Sequence, residues 1–329
     1  MDKINTGVVG TGGWGRVLTN AAAANPRFNI IGCYDIRKES RAEFAQEYGC
    51  AECSSLEELY EMNGISAVIN ATANHVHAET TIKAARCGLN VFVEKPISNT
   101  VADGKRMIEE CEKAGVVLFV GHCDRRHARY RKMHELISSG RLGRPLMVEA
   151  NMSHGGSRTT TPEQWRGHRA TCPATPMMQL GIHAIDTVHY LLGRTVAAGG
   201  MLAQVGTKLD MDDVTMGLME FESGARGYIG ACYSIPNVNY INIYLSEGNL
   251  YTQEIDDCIF YRDFKVKQRT PIEFQPVQPT EEEIEEFALC CLGEKKPETG
   301  GAEGLAALAV VEAIIQSASE GGAMMNIKM

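Results

Sequence analysis

No stretch of this 329-residue chain approaches the roughly 20 consecutive apolar residues that a membrane-spanning helix needs. The opening MDKINTGVVG runs into a strand-like segment without a signal-peptide core, so a cytoplasmic protein with no membrane partner is expected. An excess of basic residues is missing as well: 32 Lys and Arg face 41 Asp and Glu, for a net charge of -9. Neutralising phosphates needs clustered cations, so no nucleic-acid partner is expected and a small molecule is favoured. A disulfide framework is also lacking, because the eleven cysteines are an odd number scattered from Cys33 to Cys291 in a long chain. They read as small buried apolar residues. Cys50 and Cys53 make a lone CxxC with no second pair at zinc-binding spacing, and His75, His77 and the cysteines form no convincing ligand set. No metal is expected.

What is present is an ordinary globular balance, with 44% apolar and 22% charged residues. The length suits two domains. From residue 3 to 121, the strand-like runs INTGVVG, NIIGCYD, SAVINAT, LNVFVEK and GVVLFVG alternate with helical stretches, which predicts a parallel sheet. Their nearly unbroken apolar character fits a sheet covered on both faces. Helix starts carry caps, including Ser55 with Glu58 three residues on, and Thr100 ahead of Val101. Near His122 the texture changes. The run LMVEANMSH and further runs at 214–221, 225–233, 240–245 and 258–264 predict a largely antiparallel sheet. Two helices close the chain, one with Ile284, Phe287, Ala288 and Cys291 on one face and one with Leu308, Val311 and Ile315. The fold class is α/β: a Rossmann-type dinucleotide-binding domain over 1–121, then a substrate-binding and oligomerisation α/β domain over 122–329.

The first strand runs directly into Gly10-Thr11-Gly12-Gly13-Trp14-Gly15 and then into a helix, the context in which GxGxxG carries meaning. Gly10 permits the tight turn, Gly12 lets the backbone approach a pyrophosphate, and Gly15 lets the helix pack closely with its N-terminus toward the negative charge. Twenty residues after Gly15, at the end of the second strand, Asp35 can accept hydrogen bonds from ribose hydroxyls. An aspartate there repels a 2′-phosphate, so NAD is favoured over NADP, although Arg37 could turn toward a phosphate. Trp14 reads as packing more than recognition. Lys95 follows the carboxyl end of a parallel strand, where ligands of open α/β sheets bind, and an ammonium there can stabilise an alkoxide. Gln179, His183 and Asp186 stand at i, i+4 and i+7, so a helix would present them as one polar stripe. A histidine there can move a proton near neutral pH, or can simply be hydrogen-bonded.

Along essentially its whole length the chain resembles the glucose-fructose oxidoreductase and inositol dehydrogenase family, Gfo/Idh/MocA. The resemblance rests on the glycine fingerprint, Ala71-Thr72-Ala73-Asn74 with His77, Glu94-Lys95-Pro96, the segment Leu180 to Asp186, and the closing GAEGLAALAVVEAIIQSASEG. It implies that Ala71, Thr72, Asn74, His77, Glu94 and Lys95 join the glycine loop and Asp35 around the cofactor, and that Lys95 and His183 are catalytic. It also implies an open second-domain sheet that faces a partner in homodimers or homotetramers. Many family members carry an aspartate four residues before this histidine; here the residue is Gln179, so His183 needs another orienting group, for which Asp186 is the expected candidate. The family's glycine-rich lead-in is replaced by Cys172-Pro-Ala-Thr-Pro-Met-Met.

Arg125, Arg126, His154, Arg158, Trp165, Arg166 and His168 add a basic, hydrogen-bonding excess. They read as a wall for an anionic carbohydrate, with Trp165 offering a stacking face, or as ordinary paired surface residues. Gln179, Arg125, His154, Trp165 and Arg166 are the candidate substrate ligands. The leading function is hydride transfer between nicotinamide and a secondary hydroxyl of a sugar, sugar derivative or cyclitol. Alternatives are redox-neutral glycoside cleavage with internally recycled NAD, and a non-catalytic NAD-binding sensor.

Overall fold

A computed structural model describes residues 3–252, 258–265 and 268–327. These form two compact units, Met1–His122 with Gln278–Leu305, and Cys123–Val277 with Ala306–Met329.

The first unit holds a six-stranded parallel sheet of β1 (Ile4–Val9), β2 (Phe28–Tyr34), β3 (Ala51–Glu52), β4 (Ala67–Asn70), β5 (Asn90–Glu94) and β6 (Leu118–Gly121). The order β3-β2-β1-β4-β5-β6 is doubly wound and reverses direction between β1 and β4, where such folds open a crevice at the strand carboxyl ends. The connecting helices are α1 (Gly13–Ala24), α2 (Lys38–Tyr48), α3 (Leu56–Tyr60), α4 (His77–Arg86) and α5 (Val101–Ala114). The expected caps form: Ser55 Oγ accepts from the Glu58 N–H and Thr100 Oγ1 from the Asp103 N–H. The two-residue strand β3 was too short to leave a pattern in the sequence.

In the second unit come α6 (Ala128–Ser138), β7 (Pro145–Ser153), α7 (Ile182–Leu192), β8 (Thr195–Ala203), β9 (Val214–Phe221), β10 (Arg226–Cys232), β11 (Val238–Leu245), β12 (Asn249–Thr252), β13 (Ile259–Arg262) and β14 (Thr270–Ile272). The chain ends with α8 (Pro279–Cys291), α9 (Gly301–Ser319) and β15 (Met325–Asn326). Nine strands form one sheet, ordered β14-β13-β12-β11-β7-β10-β9-β8-β15, in which only the β7–β10 pairing is parallel among the described residues. On β9, Met216 and Leu218 point outward while Gly217, Met219 and Phe221 point inward, the alternation expected of a sheet with one covered face. Ile314 of α9 packs where Gly200 and Gly217 leave room, and Ser317 Oγ accepts from the Gly200 N–H at 2.9 Å.

Two expectations need correcting. The change of texture near His122 predicts a second domain over 122–329, yet α8 belongs to the first unit, with Phe287 packed on Phe28, Phe92 and Phe119 at ring-centroid distances of 5.6 to 6.0 Å. Asn25 and Arg27 also donate to the Glu285 carboxylate. Helical periodicity reveals that a helix has an apolar face but not which core receives it. Second, α9, with 19 residues, is long and apolar enough by composition to cross a bilayer. Of its most apolar window, 67% is buried in the protein, as in a core helix.

Candidate active site

In the first unit, β1 ends at Val9 and the chain turns at Gly10, whose φ of +89° lies in the left-handed region. A Cβ there would stand 2.5 Å from the Ala71 carbonyl oxygen, and one on Gly15 would collide with the Gly10 carbonyl oxygen, so both positions require glycine. Gly12 stands at the N-cap of α1 with no side-chain cap, and a Cβ on Gly13 would meet nothing within 4 Å, which leaves room beside the helix N-terminus.

Asp35, buried at the end of β2, fastens this loop. Its Oδ2 accepts from the Thr11 N–H at 2.9 Å and from Thr11 Oγ1 at 3.1 Å, while Oδ1 accepts from the Arg37 N–H at 2.9 Å. The Arg37 guanidinium adds an ion pair at 3.2 Å. Burial works against the Asp35 charge, but the bonds from Arg37 and Thr11 outweigh it and hold the carboxyl below its usual range.

At the end of β5, Glu94 is buried, and burial pushes its carboxyl up to about 7, although Lys95 and Trp14 pull the other way. Glu94 Oε1 accepts from the Trp14 indole N–H and Oε2 from the Lys95 N–H, so Trp14 closes the glycine loop onto the strand that carries Lys95. His77 is fully buried; its Nδ1 lies 2.8 Å from the Pro96 carbonyl oxygen and its Nε2 3.1 Å from that of Thr72. It therefore ties the Ala71–Asn74 segment to the turn after Lys95 as a positioning residue. Burial lowers its pKa to about 4, keeping it neutral. The Asn74 side chain is buried too, and its Nδ2 has no hydrogen-bond partner among the described residues. An orphaned donor, an open glycine cradle and a carboxylate at the β2 terminus together fit a dinucleotide.

In the second unit, His183 opens α7, and its Nδ1 stands 3.3 Å from Asp124 Oδ1. Asp186, the expected orienting carboxylate, is engaged by Arg125. That carboxylate is buried and gripped from both sides by Arg125, through Nε at 2.7 Å and a terminal guanidinium nitrogen at 2.6 Å. Gln179 is offset from the expected stripe because Met177–Gly181 form a π-helical turn ahead of α7. Its Oε1 accepts from Arg166 Nε at 3.0 Å and its Nε2 lies 3.5 Å from Cys172 Sγ. Arg166 also stacks on Trp165, 4.4 Å from the ring centroid. His154 Nδ1 accepts from the Gly156 N–H at 2.9 Å, and its ring lies 4.6 Å from that of Tyr233. Burial raises the Tyr233 phenol while the Arg166 charge opposes it.

Residues 4–122 match the oxidoreductase family with an NAD-binding Rossmann fold, Gfo/Idh/MocA, and residues 130–251 match the Gfo/Idh/MocA C-terminal domain. The chain belongs to the Gfo/Idh/MocA family. It is similar to a 1,5-anhydro-D-fructose reductase of Ensifer adhaerens, 26% identical over 89% of this chain and 90% of that one. A 2,7-anhydro-N-acetylneuraminate hydratase of Escherichia coli is 30% identical over 75% of this chain and 67% of the other. Among solved structures, a candidate NADPH-dependent oxidoreductase from Desulfitobacterium hafniense superposes with a TM-score of 0.93 at 29% identity, over 99% of this chain and 98% of that one.

Against the Gfo/Idh/MocA pattern, three expectations change. Asp124 sets a carboxylate beside the histidine, and its place just past β6, where parallel strands end, is the signal for it that the sequence holds. Arg125 pairs with Asp186 and Arg126 is fully buried, so of the expected basic wall Arg158 and Arg166 are exposed, with His154, Trp165 and His168 half-buried. Gln179 is braced by Arg166. Cys123, next to Asp124, is buried, as the scattered cysteines are expected to be.

Proposed function

We propose that this Gfo/Idh/MocA chain is a dehydrogenase that oxidises a secondary hydroxyl of a sugar, sugar derivative or cyclitol, with NAD favoured over NADP. The observation that carries this reading is the Asp124–His183 pair, 3.3 Å apart. A carboxylate at Nδ1 fixes the imidazole tautomer and favours the imidazolium, leaving Nε2 to take the substrate hydroxyl proton. A bound nicotinamide would supply the hydride acceptor for the carbon that bears this hydroxyl. The Lys95 ammonium stabilises the alkoxide that forms as the proton leaves. Asp35 receives the ribose hydroxyls and disfavours a 2′-phosphate, with exposed Arg37 as the opposing influence. Arg166 supplies the positive charge for an anionic group on the substrate, and Trp165 a face for its ring.

A second reading has support in the relatives named as hydratases, whose reaction carries no net oxidation. The two separate in one assay. Sugars, uronic acids, cyclitols and anhydrosugars are incubated with NAD or NADP while reduced-nicotinamide absorbance and substrate loss are followed. A dehydrogenase produces reduced cofactor in step with substrate loss; substrate loss without it assigns the redox-neutral reading.

A further inference from the structure

A soft thiol, a borderline imidazole and a carboxylate meet in the second unit. Cys123 Sγ, a carboxylate oxygen of Asp124 and a ring nitrogen of His183 all lie within 4.8 Å of one another. Cys123 and Asp124 are consecutive, at the entry to the short 3-10 turn Asp124–Arg126, and His183 is held in the first turn of α7. The distance from Sγ to Asp124 Oδ1 is 3.7 Å, and that from His183 Nδ1 to the same oxygen is 3.3 Å. A tetrahedral zinc ion, with Zn–S near 2.3 Å and Zn–N or Zn–O near 2.05 Å, sets its S–O edge at about 3.6 Å and its N–O edge at about 3.3 Å. Two donor pairs therefore already stand at the edge lengths of a zinc tetrahedron, and the third, thiol to imidazole, lies within 4.8 Å.

We propose that Cys123, Asp124 and His183 form a binding site for a divalent transition-metal ion of the zinc type, and that filling it switches off the proton transfer assigned to His183. Thiolate, imidazole and carboxylate select zinc or cobalt over magnesium or calcium, which prefer all-oxygen shells. Cys123 is buried while Asp124 and His183 keep 15% and 12% of their side-chain surface, which leaves the ion an approach from their side. Three protein ligands leave a fourth position for water or a small anion. An imidazole whose Nδ1 holds a metal must carry its proton on Nε2, so neither nitrogen can accept another. The metal thus inhibits, and because the Cys123 thiol releases its proton on binding, it binds more tightly as pH rises. The binding claim stands on the donor geometry; the inhibitory consequence rests on the function proposed for His183.

The test uses the full chain, freed of metal by a chelator and titrated with Co²⁺. The expected result is a tetrahedral cobalt spectrum with a thiolate-to-cobalt charge-transfer band, saturating at one ion per chain and displaced by Zn²⁺ but not by Mg²⁺. In Cys123→Ser the band disappears and affinity falls about tenfold or more, with Cys123→Ala as the second variant should the first fold poorly. Zn²⁺ slows turnover of a substrate from the screen above, chelation restores it, and in Cys123→Ser the half-inhibiting Zn²⁺ concentration rises by the same factor. An absent band, or one unchanged in both Cys123 variants, overturns the site. A Cys123-dependent band with turnover indifferent to Zn²⁺ leaves the site standing and overturns the proton-transfer role of His183.

Discussion

Asp35 does two jobs that a single substitution can separate. It holds Thr11 of the glycine loop, and its charge is proposed to choose between cofactors. In Asp35→Asn the amide oxygen can still accept from Thr11, but the repulsion of a 2′-phosphate is gone. NAD affinity is expected to fall about tenfold and the preference over NADP to narrow, as measured by titration with both cofactors; unchanged affinities would remove Asp35 from the site. Two buried neighbours carry opposite pH signatures. His77, lowered to about 4 by burial from 6.5, stays neutral when folded, so its contribution is full above pH 6.5 and is lost as pH falls through 4. Glu94, raised to about 7 by burial from 4.5, contributes fully below pH 4.5 and loses that contribution as pH rises through 7. Between pH 4.5 and 6.5 the two slopes oppose. Urea unfolding of Glu94→Gln should therefore lose more stability on acidification across that window than His77→Gln, and equal slopes would contradict these burials. The glycine loop, Asp35 and Lys95 were legible in the sequence because their spacing is local. Asp124 beside His183 and Arg125 on Asp186 were not, since each pair joins positions about 60 residues apart.

Among the elements, α8 shows how little periodicity says about destination. Ile284, Phe287 and Ala288 announced an apolar face, and the face completes the core under β1, β4, β5 and β6. Phe287→Ala is expected to destabilise the first unit by about 3 to 5 kcal/mol, the cost of a large cavity among packed aromatics, read as a lower urea midpoint. A loss below about 1 kcal/mol would mean that α8 is not part of that core. The segment before α7 was harder to read. Local spacing predicted an uninterrupted helix through Gln179, but Ala174 adopts φ +48° and a π-turn follows, a backbone that no residue pattern announced. Ala174 stands within the segment that replaces the family's glycine-rich lead-in, at a conformation that glycine adopts more readily.

At the scale of the whole molecule, strands alternating with helices revealed the parallel sheet and strand-like runs following one another revealed the largely antiparallel one, while the return of the chain to its first unit stayed hidden because it is a long-range packing choice. The outer face of the second sheet exposes Met201, Met216 and Leu218 at 70%, 57% and 58%, with Tyr228 paired across from Leu218. A second copy of the chain is the proposed cover, and Leu218→Lys should shift the wild-type oligomer toward monomer in light scattering at micromolar concentration. A monomeric wild type would contradict this. The most direct measurement of the proposed chemistry is single-turnover formation of reduced nicotinamide across pH, in wild type, Lys95→Met and His183→Ala. Lys95→Met should slow the step by about 10² or more with cofactor affinity changed far less. His183→Ala should slow it by about 10² to 10⁴ and abolish the rise of rate with pH near neutrality. Near wild-type rates in both variants, with the pH profile intact, would contradict the assignment.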